Sequence, residues 1–184
     1  MDSASSILRE LILKNGQPLI LRKPSPEDAV KMINYLNTVG GESDNLLFGK
    51  DEFHLTVEQE VEYLKKIQQD ENTFMILGVF DDTIVSVAQI SRSNRKRIGH
   101  NSELAISVLK DYWGNGIGSV VMEELIRFAK DHPVIRNISL GVRANNSNAI
   151  KLYEKYGFKK IGLHKDYFNI NEIFYDEILM DLSV

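Results

Sequence analysis

The sequence contains no cysteine, and this absence excludes disulfide bridges, thiolate metal ligands and cysteine nucleophiles together. It also has no apolar run near the roughly 20 residues that span a bilayer. Cations are not in excess, because 22 Lys and Arg residues stand against 26 Asp and Glu residues, for a net charge of −4. Broad, charge-driven binding to nucleic acid needs the opposite balance. We therefore predict a cytoplasmic protein with no nucleic-acid partner and no membrane partner.

What the chain does contain is an ordinary globular composition, with 43% hydrophobic and 26% charged residues over 184 positions. A chain of this length fits one domain with a core of its own. We predict an N-terminal appendage over residues 1–17 and a single domain over residues 18–184. The first residues lack a basic start followed by an apolar run, which is the pattern of a signal peptide. The spacing of Leu8, Leu11 and Ile12 instead indicates a short amphipathic turn or a strand.

Apolar periodicity predicts strands that alternate with helices and a chain that finishes in strands. Ser25 and Thr56 each have the pattern of a helix start, and Gln59 completes a capping box with Thr56. Asp81 and Asp82 predict the turn of a β-hairpin. The predicted strands are residues 18–23, 74–80, 84–90, 103–109, 137–142, 158–163 and 173–182, and two further helices are predicted from Gly116 onward and over 147–156. This order indicates a mixed α/β sheet flanked by helices.

A glycine-rich segment, Asp111 to Ser119, links a predicted strand directly to a predicted helix. Glycine lets the main chain come close to a ligand, and the free N–H groups of a helix start can donate to phosphate oxygens. The segment is not a P-loop, because no lysine stands between Gly118 and Ser119. Nor is it a dinucleotide fingerprint, because Ser119 stands where the third glycine belongs. We predict a phosphate or pyrophosphate site, with a tight connection that binds no ligand as the alternative.

A second segment, Asn146 to Phe158, runs Asn, two residues, Ala, two residues, Leu-Tyr, three residues, Gly-Phe. Together with the turn from Trp113 to Gly118, it closely resembles the GCN5-related N-acetyltransferase (GNAT) superfamily. The resemblance extends from about Leu19 to Leu182. Trp113 departs from the family, which usually has Arg or Gln there, and we interpret this indole as packed against the sheet. The main-chain donors of the turn are unaffected by that change.

The resemblance implies a mixed, mostly antiparallel twisted central sheet flanked by helices, with a splayed parallel pair of strands at 103–109 and 137–142. Acetyl-CoA, the family's co-substrate, lies in the gap between these two strands. Asn146 is expected to contact it as well as to cap a helix, and capping alone is the alternative. The implied cofactor-binding residues are Ile106, Ser107, Val108, Gly114, Asn115, Gly116, Ile117, Gly118, Ser119, Asn146 and Tyr153.

The resemblance also implies direct transfer of an acetyl group from the thioester to a primary amine of a small molecule, a peptide or a protein. Tyr153 matches the family's tyrosine at the acid position, and its neutral hydroxyl can donate a proton to the leaving thiolate. A tyrosine packed in the core is the alternative. Glu103 is the candidate base, with His100 in reserve, although glutamate at a strand edge is commonly just solvated and ordered water can replace it.

Other features leave several possibilities open. The four histidines show no metal-ligand spacing, so no metal is expected. Residues 40–55 combine acidic and apolar side chains, which suits either a pocket for a cationic amine or a solvated loop. The alternative functions are a sensor that binds acyl-CoA without turnover and an interaction module whose glycine turn is structural. A homodimer is compatible with all of these features.

Overall fold

Eight strands form one sheet in the computed structural model, which describes residues 7–184. The strands are β1 (Ile7–Ile12), β2 (Pro18–Arg22), β3 (Thr73–Phe80), β4 (Thr83–Arg92), β5 (Asn101–Val108), β6 (Asn137–Arg143), β7 (Lys159–Ile170) and β8 (Ile173–Ser183). The helices are α1 (Ala29–Glu42), α2 (Val57–Gln69), α3 (Ile117–Asp131) and α4 (Ser147–Lys155). None of these helices is both long and apolar enough to cross a membrane. The order in the sheet is β1-β2-β3-β4-β5-β6-β8-β7.

Most neighbouring strands run antiparallel, and the one parallel pair among the described strands separates soon after it begins. β5 and β6 are in register only over Asn101–Glu103 and Asn137–Ser139. Beyond these residues β5 stays paired with β4, while β6 stays paired with β8. The two strands therefore diverge and leave a gap in the middle of the sheet. The predicted mixed, mostly antiparallel sheet with a splayed parallel pair is confirmed.

Two helix starts follow from the local chemistry of their sequence. Thr56 and Gln59 form the predicted capping box, in which the Gln59 N–H donates to Thr56 Oγ1 at 3.2 Å and the Thr56 N–H donates to Gln59 Oε1 at 2.9 Å. Before α1, the Ser25 N–H donates to Asp28 Oδ2 at 2.8 Å. Arg22 holds the same carboxylate with two nitrogens, at 2.7 and 2.6 Å. Burial acts to raise the pKa of Asp28, but these hydrogen bonds outweigh it and hold that pKa below its usual value.

The two faces of the sheet carry separate hydrophobic cores. On one side, the α3 face, α3 and α4 pack against the sheet, and Leu125 is completely buried. On the other side, the α1 face, a smaller core draws its buried residues from α1, α2, β3 and β4, with Leu64 completely buried. Leu104 of β5 and Leu140 of β6 belong to the α3-face core. Because side chains alternate along a strand, the odd-numbered positions of β5 and β6 lie on the α1 face.

Residues 7–17 contribute to the sheet. β1 pairs antiparallel with β2 as an outer strand, with Leu11 opposite Leu19. Leu8 and Leu11 pack against the α3-face core, and Leu13 is buried. The segment predicted as an appendage therefore supplies an outer strand over its described part, and residues 1–6 of that prediction lie outside the described residues.

Candidate functional site

The β5 side of the gap is lined by main-chain groups. The Leu109 N–H donates to the Val85 carbonyl at 2.9 Å, in line with the register of β4 and β5. Successive residues of a strand turn their main-chain groups to opposite sides, so Ile106 and Val108 direct theirs into the gap. Ser107, predicted beside them, turns its main chain towards β4. Ile106 and the Val108 N–H therefore present an edge with which the amides of a ligand can pair.

The β6 side of the gap follows from the same alternation. The Ala144 N–H donates to the Asp176 carbonyl of β8 at 2.9 Å. The main-chain groups of Gly141, an odd-numbered position of β6, therefore face the gap. The two edges together form a slot for an extended chain that carries its own N–H and C=O groups.

At the end of β5, the glycine turn leads into α3 with its N–H groups free. Gly114 and Gly116 have φ angles of 77° and 91°, which glycine adopts without strain. Helix α3 begins at Ile117, and no side chain caps it. Within residues 7–184, no oxygen accepts a hydrogen bond from the N–H groups of residues 114–119. These donors, at the positive end of the helix dipole, fit a phosphate or a pyrophosphate.

The side chains of the turn do not block these donors. Asn115 donates from Nδ2 to the carbonyls of Tyr112 and Trp113, at 3.3 Å each. The Trp113 indole donates from Nε1 to the Val108 carbonyl at 2.7 Å. The residue is 47% exposed, so the indole lies against the end of β5 beside the gap and is only partly covered.

Helix α4 is fixed against the start of α3. A Cβ on Gly118 would lie 3.2 Å from Leu152 Cδ2, so glycine permits the close approach of the two helices. Tyr156 donates from its hydroxyl to the Ser119 carbonyl at 3.0 Å. Gly118 and Ser119 thus have a packing role in addition to their predicted place at the cofactor.

Two predicted cofactor residues, Asn146 and Tyr153, belong to α4 and its cap. Asn146 Oδ1 accepts from the Ala149 N–H at 3.2 Å, which confirms the cap. Tyr153 is 9% exposed and packs beside Phe158, and burial raises its pKa to about 12. Its hydroxyl makes no hydrogen bond with any described residue, yet it is not fully enclosed. A tyrosine that stays protonated at neutral pH beside an opening can act as a proton donor.

The predicted bases lie near the point where β5 and β6 separate. Glu103 is the last residue of β5 that pairs with β6, and its partner is Ser139. Because its position is odd-numbered, its side chain lies on the α1 face. His100 precedes β5, and its carbonyl accepts from the N–H groups of Arg136 and Asn137 at 2.8 and 3.2 Å. Both side chains are exposed.

Ser107 has a structural environment. Its hydroxyl lies 2.9 Å from the Tyr35 hydroxyl of α1, and Tyr35 is buried in the α1-face core. Burial raises the pKa of Tyr35, so this hydroxyl is a hydrogen-bond donor. The side chain of Ser107 therefore connects α1 to β5, away from the gap.

Sequence patterns did not indicate a cluster of charged side chains on the α1 face beside the gap. Arg143 of β6 and Glu177 of β8 are opposite each other. The Arg143 guanidinium lies 3.7 Å from the centre of the Tyr175 ring and donates from Nη1 to the Asp44 carbonyl at 3.2 Å. Glu177 Oε2 lies 2.9 Å from His164 Nδ1. The sequence gives only a weak signal for this cluster. Arg143 is a charged residue between apolar neighbours at the end of a predicted strand.

Across residues 7–184, no three His, Cys, Asp or Glu side chains come together as ligands for a metal ion.

A main-chain slot between splayed strands, ending in an anion-binding helix start, defines the fold class of the acyl-CoA N-acyltransferases. The chain belongs to the Acetyltransferase (GNAT) family, whose model matches residues 45–158, and the resemblance inferred from the two motifs is confirmed. A solved structure of a GNAT-family acetyltransferase from Streptococcus pneumoniae is 32% identical, with a TM-score of 0.86 over 90% of this chain and 99% of that one.

Two curated relatives are similar over a shorter region. N-alpha-acetyltransferase RimI of Mycobacterium tuberculosis is 35% identical over 89 residues, which are 48% of this chain and 54% of that protein. L-amino acid N-acetyltransferase AaaT of Escherichia coli is 30% identical over 92 residues, 50% of this chain and 57% of that protein. The chain thus spans about half the length of the curated relatives it matches.

Proposed function

We propose that this protein is an N-acetyltransferase that moves an acetyl group from acetyl-CoA directly to a primary amine of a small molecule or of a peptide or protein. The observation that carries the proposal is the turn from Gly114 to Ser119, whose N–H groups have no partner among the described residues and lie at the end of a strand that lines the gap. A binding site for a diphosphate, continuous with a slot for an amide-bearing arm, matches the chemistry of coenzyme A.

The residues of the gap and the turn fit the two parts of this co-substrate. The N–H groups from Gly114 to Ser119 would hold the pyrophosphate, and the edge groups of Ile106 and Val108 would pair with the pantetheine amides. Asn146 has Nδ2 free of partners among the described residues and would donate from there. Acetyl-CoA would supply the acetyl group in activated form, as a thioester.

The chain's own residues would move two protons. The amine must lose a proton to form the new C–N bond, and Glu103 would accept it, directly or through water, with His100 as the second candidate. When the C–S bond breaks, the thiolate needs a proton, which the Tyr153 hydroxyl would donate. Direct transfer is supported by the absence of cysteine, whose side chain is intrinsically very nucleophilic at neutral pH.

The relatives support an amine as the acceptor. One is named as an N-alpha-acetyltransferase and the other as an L-amino acid N-acetyltransferase. The acidic Glu103 and Glu177 on the α1 face suit an acceptor that arrives as a cation.

The test has two stages. Acetyl-CoA should raise the melting temperature, because a ligand that binds only the native state stabilises it. Thiol release from acetyl-CoA should then depend on added amine. Binding without thiol release for any amine would favour the sensor, and a melting temperature that does not respond to acetyl-CoA would favour the interaction module.

A further inference from the structure

Arg143 and Glu177 are an unusual pair of neighbours. They are opposite each other on β6 and β8, on the same face, and their side chains are only 7% and 8% exposed. Two buried side chains of opposite charge at such positions ordinarily form an ion pair, because an unpaired charge is costly to bury. Here no ion pair joins them. Arg143 turns to Tyr175 and Asp44, and Glu177 turns to His164.

Both side chains keep polar atoms without partners among the described residues. Arg143 Nε is buried and makes no hydrogen bond, and Nη2 makes none either. Asp44 accepts only from Nη1, through its carbonyl, and its Oδ2 lies 3.9 Å from the same nitrogen. Glu177 has Oε2 held by His164, while Oε1 has no partner and is not fully enclosed. The site therefore leaves hydrogen-bonding capacity of both signs unused.

Glu177 also borders the gap directly. A Cβ on Gly141 would overlap Glu177 Oε1. The carboxylate therefore packs directly on Gly141, whose main-chain groups face the gap. A cation held by Oε1 is thereby next to the slot in which the acetyl group would lie. Arg143, two residues further along β6, is the positively charged end of the same surface.

We propose that Arg143 and Glu177 form the acceptor subsite and that the acceptor is a free α-amino acid or a close analogue, with a primary amine and a carboxylate on neighbouring atoms. Such a ligand supplies a hydrogen-bond partner to both side chains. Its carboxylate would accept from the Arg143 guanidinium, and its ammonium group would donate to the Glu177 carboxylate. Tyr175 and His164 are positioning residues that hold the guanidinium and the carboxylate. This inference rests on the proposed function and specifies its acceptor.

The first experiment compares free L-amino acids with the corresponding amino-acid amides, using thiol release to obtain kcat and KM. The amide keeps the amine and the side chain but lacks the negative charge. We expect kcat/KM to be about ten- to a hundredfold higher for the free acid, mostly through KM, because a charge-assisted bidentate contact is lost in the amide. Amides or N-terminal peptides that react as well as the free acids would overturn the inference and leave the proposed function standing.

The second experiment uses variants. Arg143→Gln should reduce the preference for acid over amide to about one, whereas Arg97→Gln, an exposed arginine outside the site, should leave the preference unchanged. An equal acetyl-CoA-induced rise in melting temperature shows that Arg143→Gln is folded. If it is not folded, Arg143→Lys tests the same point, because it keeps the charge and loses the bidentate geometry. A preference that survives in the folded variant contradicts the inference.

A failure of the proposed function is distinguishable from a failure of this inference. If no amine gives thiol release, the proposed function fails. The subsite is then judged by calorimetric titration of the CoA-loaded protein with the same acids and amides. Tighter binding of the acids supports the subsite, and equal binding of acids and amides rejects it.

Discussion

The two sides of the gap are built in different ways. The donor side, the turn from Trp113 to Ser119 with the gap edge of β5, consists of main-chain groups from one short stretch of chain. The acceptor side, Arg143 and Glu177 with His164, consists of side chains from three strands. A main-chain site depends on glycine and on a helix start, whereas a side-chain site depends on the identity of residues far apart. Under the proposed function, the donor side would set the class of co-substrate, and the proposed acceptor side would set which amine is used.

The largest effect is expected at Tyr153 of α4, the proposed proton donor to the leaving thiolate. Tyr153→Phe should lower kcat by about a hundredfold or more, because the leaving thiolate loses its proton donor. The rise in melting temperature with acetyl-CoA should stay unchanged, since the ring and its packing are kept. Thiol-release kinetics and thermal unfolding measure the two quantities.

The control for this change is Tyr167→Phe, which alters an exposed tyrosine and should leave kcat as it is. Equal kcat values for Tyr153→Phe and the unmodified protein would show that Tyr153 is only a packing residue.

The next largest effect concerns the donor side. Gly114→Ala places a side chain at a φ of 77° where the protein leaves open space. We expect acetyl-CoA to bind about tenfold more weakly, because the turn relaxes from the strained angle and its N–H groups shift. Isothermal titration calorimetry with acetyl-CoA measures the change.

A matched control separates this loss from a general loss of stability. Gly16 has a φ of 84° and equally open surroundings, but it lies in the turn before β2. Gly16→Ala should cost a similar amount of stability, about 1 kcal/mol, and leave acetyl-CoA affinity intact. If Gly114→Ala and Gly16→Ala bind acetyl-CoA with similar affinity, the turn from Trp113 to Ser119 is not the binding site for acetyl-CoA.

The acceptor side has its own glycine. Gly141→Ala should displace the Glu177 carboxylate, because the new Cβ would overlap Oε1. We expect KM for the acceptor to rise about fivefold with little change in acetyl-CoA affinity, since one charged contact is weakened and not removed. Gly162→Ala in β7 is the control, because its Cβ would meet Leu179 Cδ1 at an ordinary 3.5 Å. A rise in the acetyl-CoA dissociation constant instead would mean that the two sides are not separable.

The smallest effect is one of stability, on the same α1 face. Glu60 of α2 is buried, its Oε1 has no hydrogen-bond partner within residues 7–184, and burial raises its pKa. The folded protein then binds more protons than the unfolded chain, so stability falls as pH rises from the ordinary value of 4.5 through the raised one. Glu60→Gln should raise the melting temperature at pH 7 by about 2–4 °C, and the gain should shrink towards pH 4.

Glu58, two positions earlier, provides the opposite case. Hydrogen bonds at the start of α2, first to its own backbone and then to Thr56, lower its pKa. Glu58→Gln should therefore give no gain at pH 7 when both variants are unfolded thermally at the two pH values. A gain of equal size in both variants would show a general effect of removing negative charge.

The difference between the two sides also explains what could be predicted. The turn and the helix starts depend on neighbours in the chain, so glycine spacing and the Thr56–Gln59 box were sufficient to locate them. Arg143 lies opposite Glu177 because of the register between β6 and β8. No local sequence pattern contains that register.

The length of β7 was missed for a related reason. We predicted a strand over 158–163, and it continues to Ile170. The register with β8 shifts between His164 and Phe168, where Asp166 has a φ of 54°. This irregularity interrupts the alternation of side chains from which a strand is predicted. His164 is the last residue before the irregularity.

Trp113 has a practical consequence. It is the chain's single tryptophan. The residue is about half exposed, and its indole is hydrogen-bonded to the last residue of β5 beside the glycine turn. Under the proposed function, its ultraviolet emission would come from one spot next to the incoming nucleotide thioester. Stopped-flow fluorescence can follow the arrival and departure of the co-substrate in real time, without a label and without a mutation.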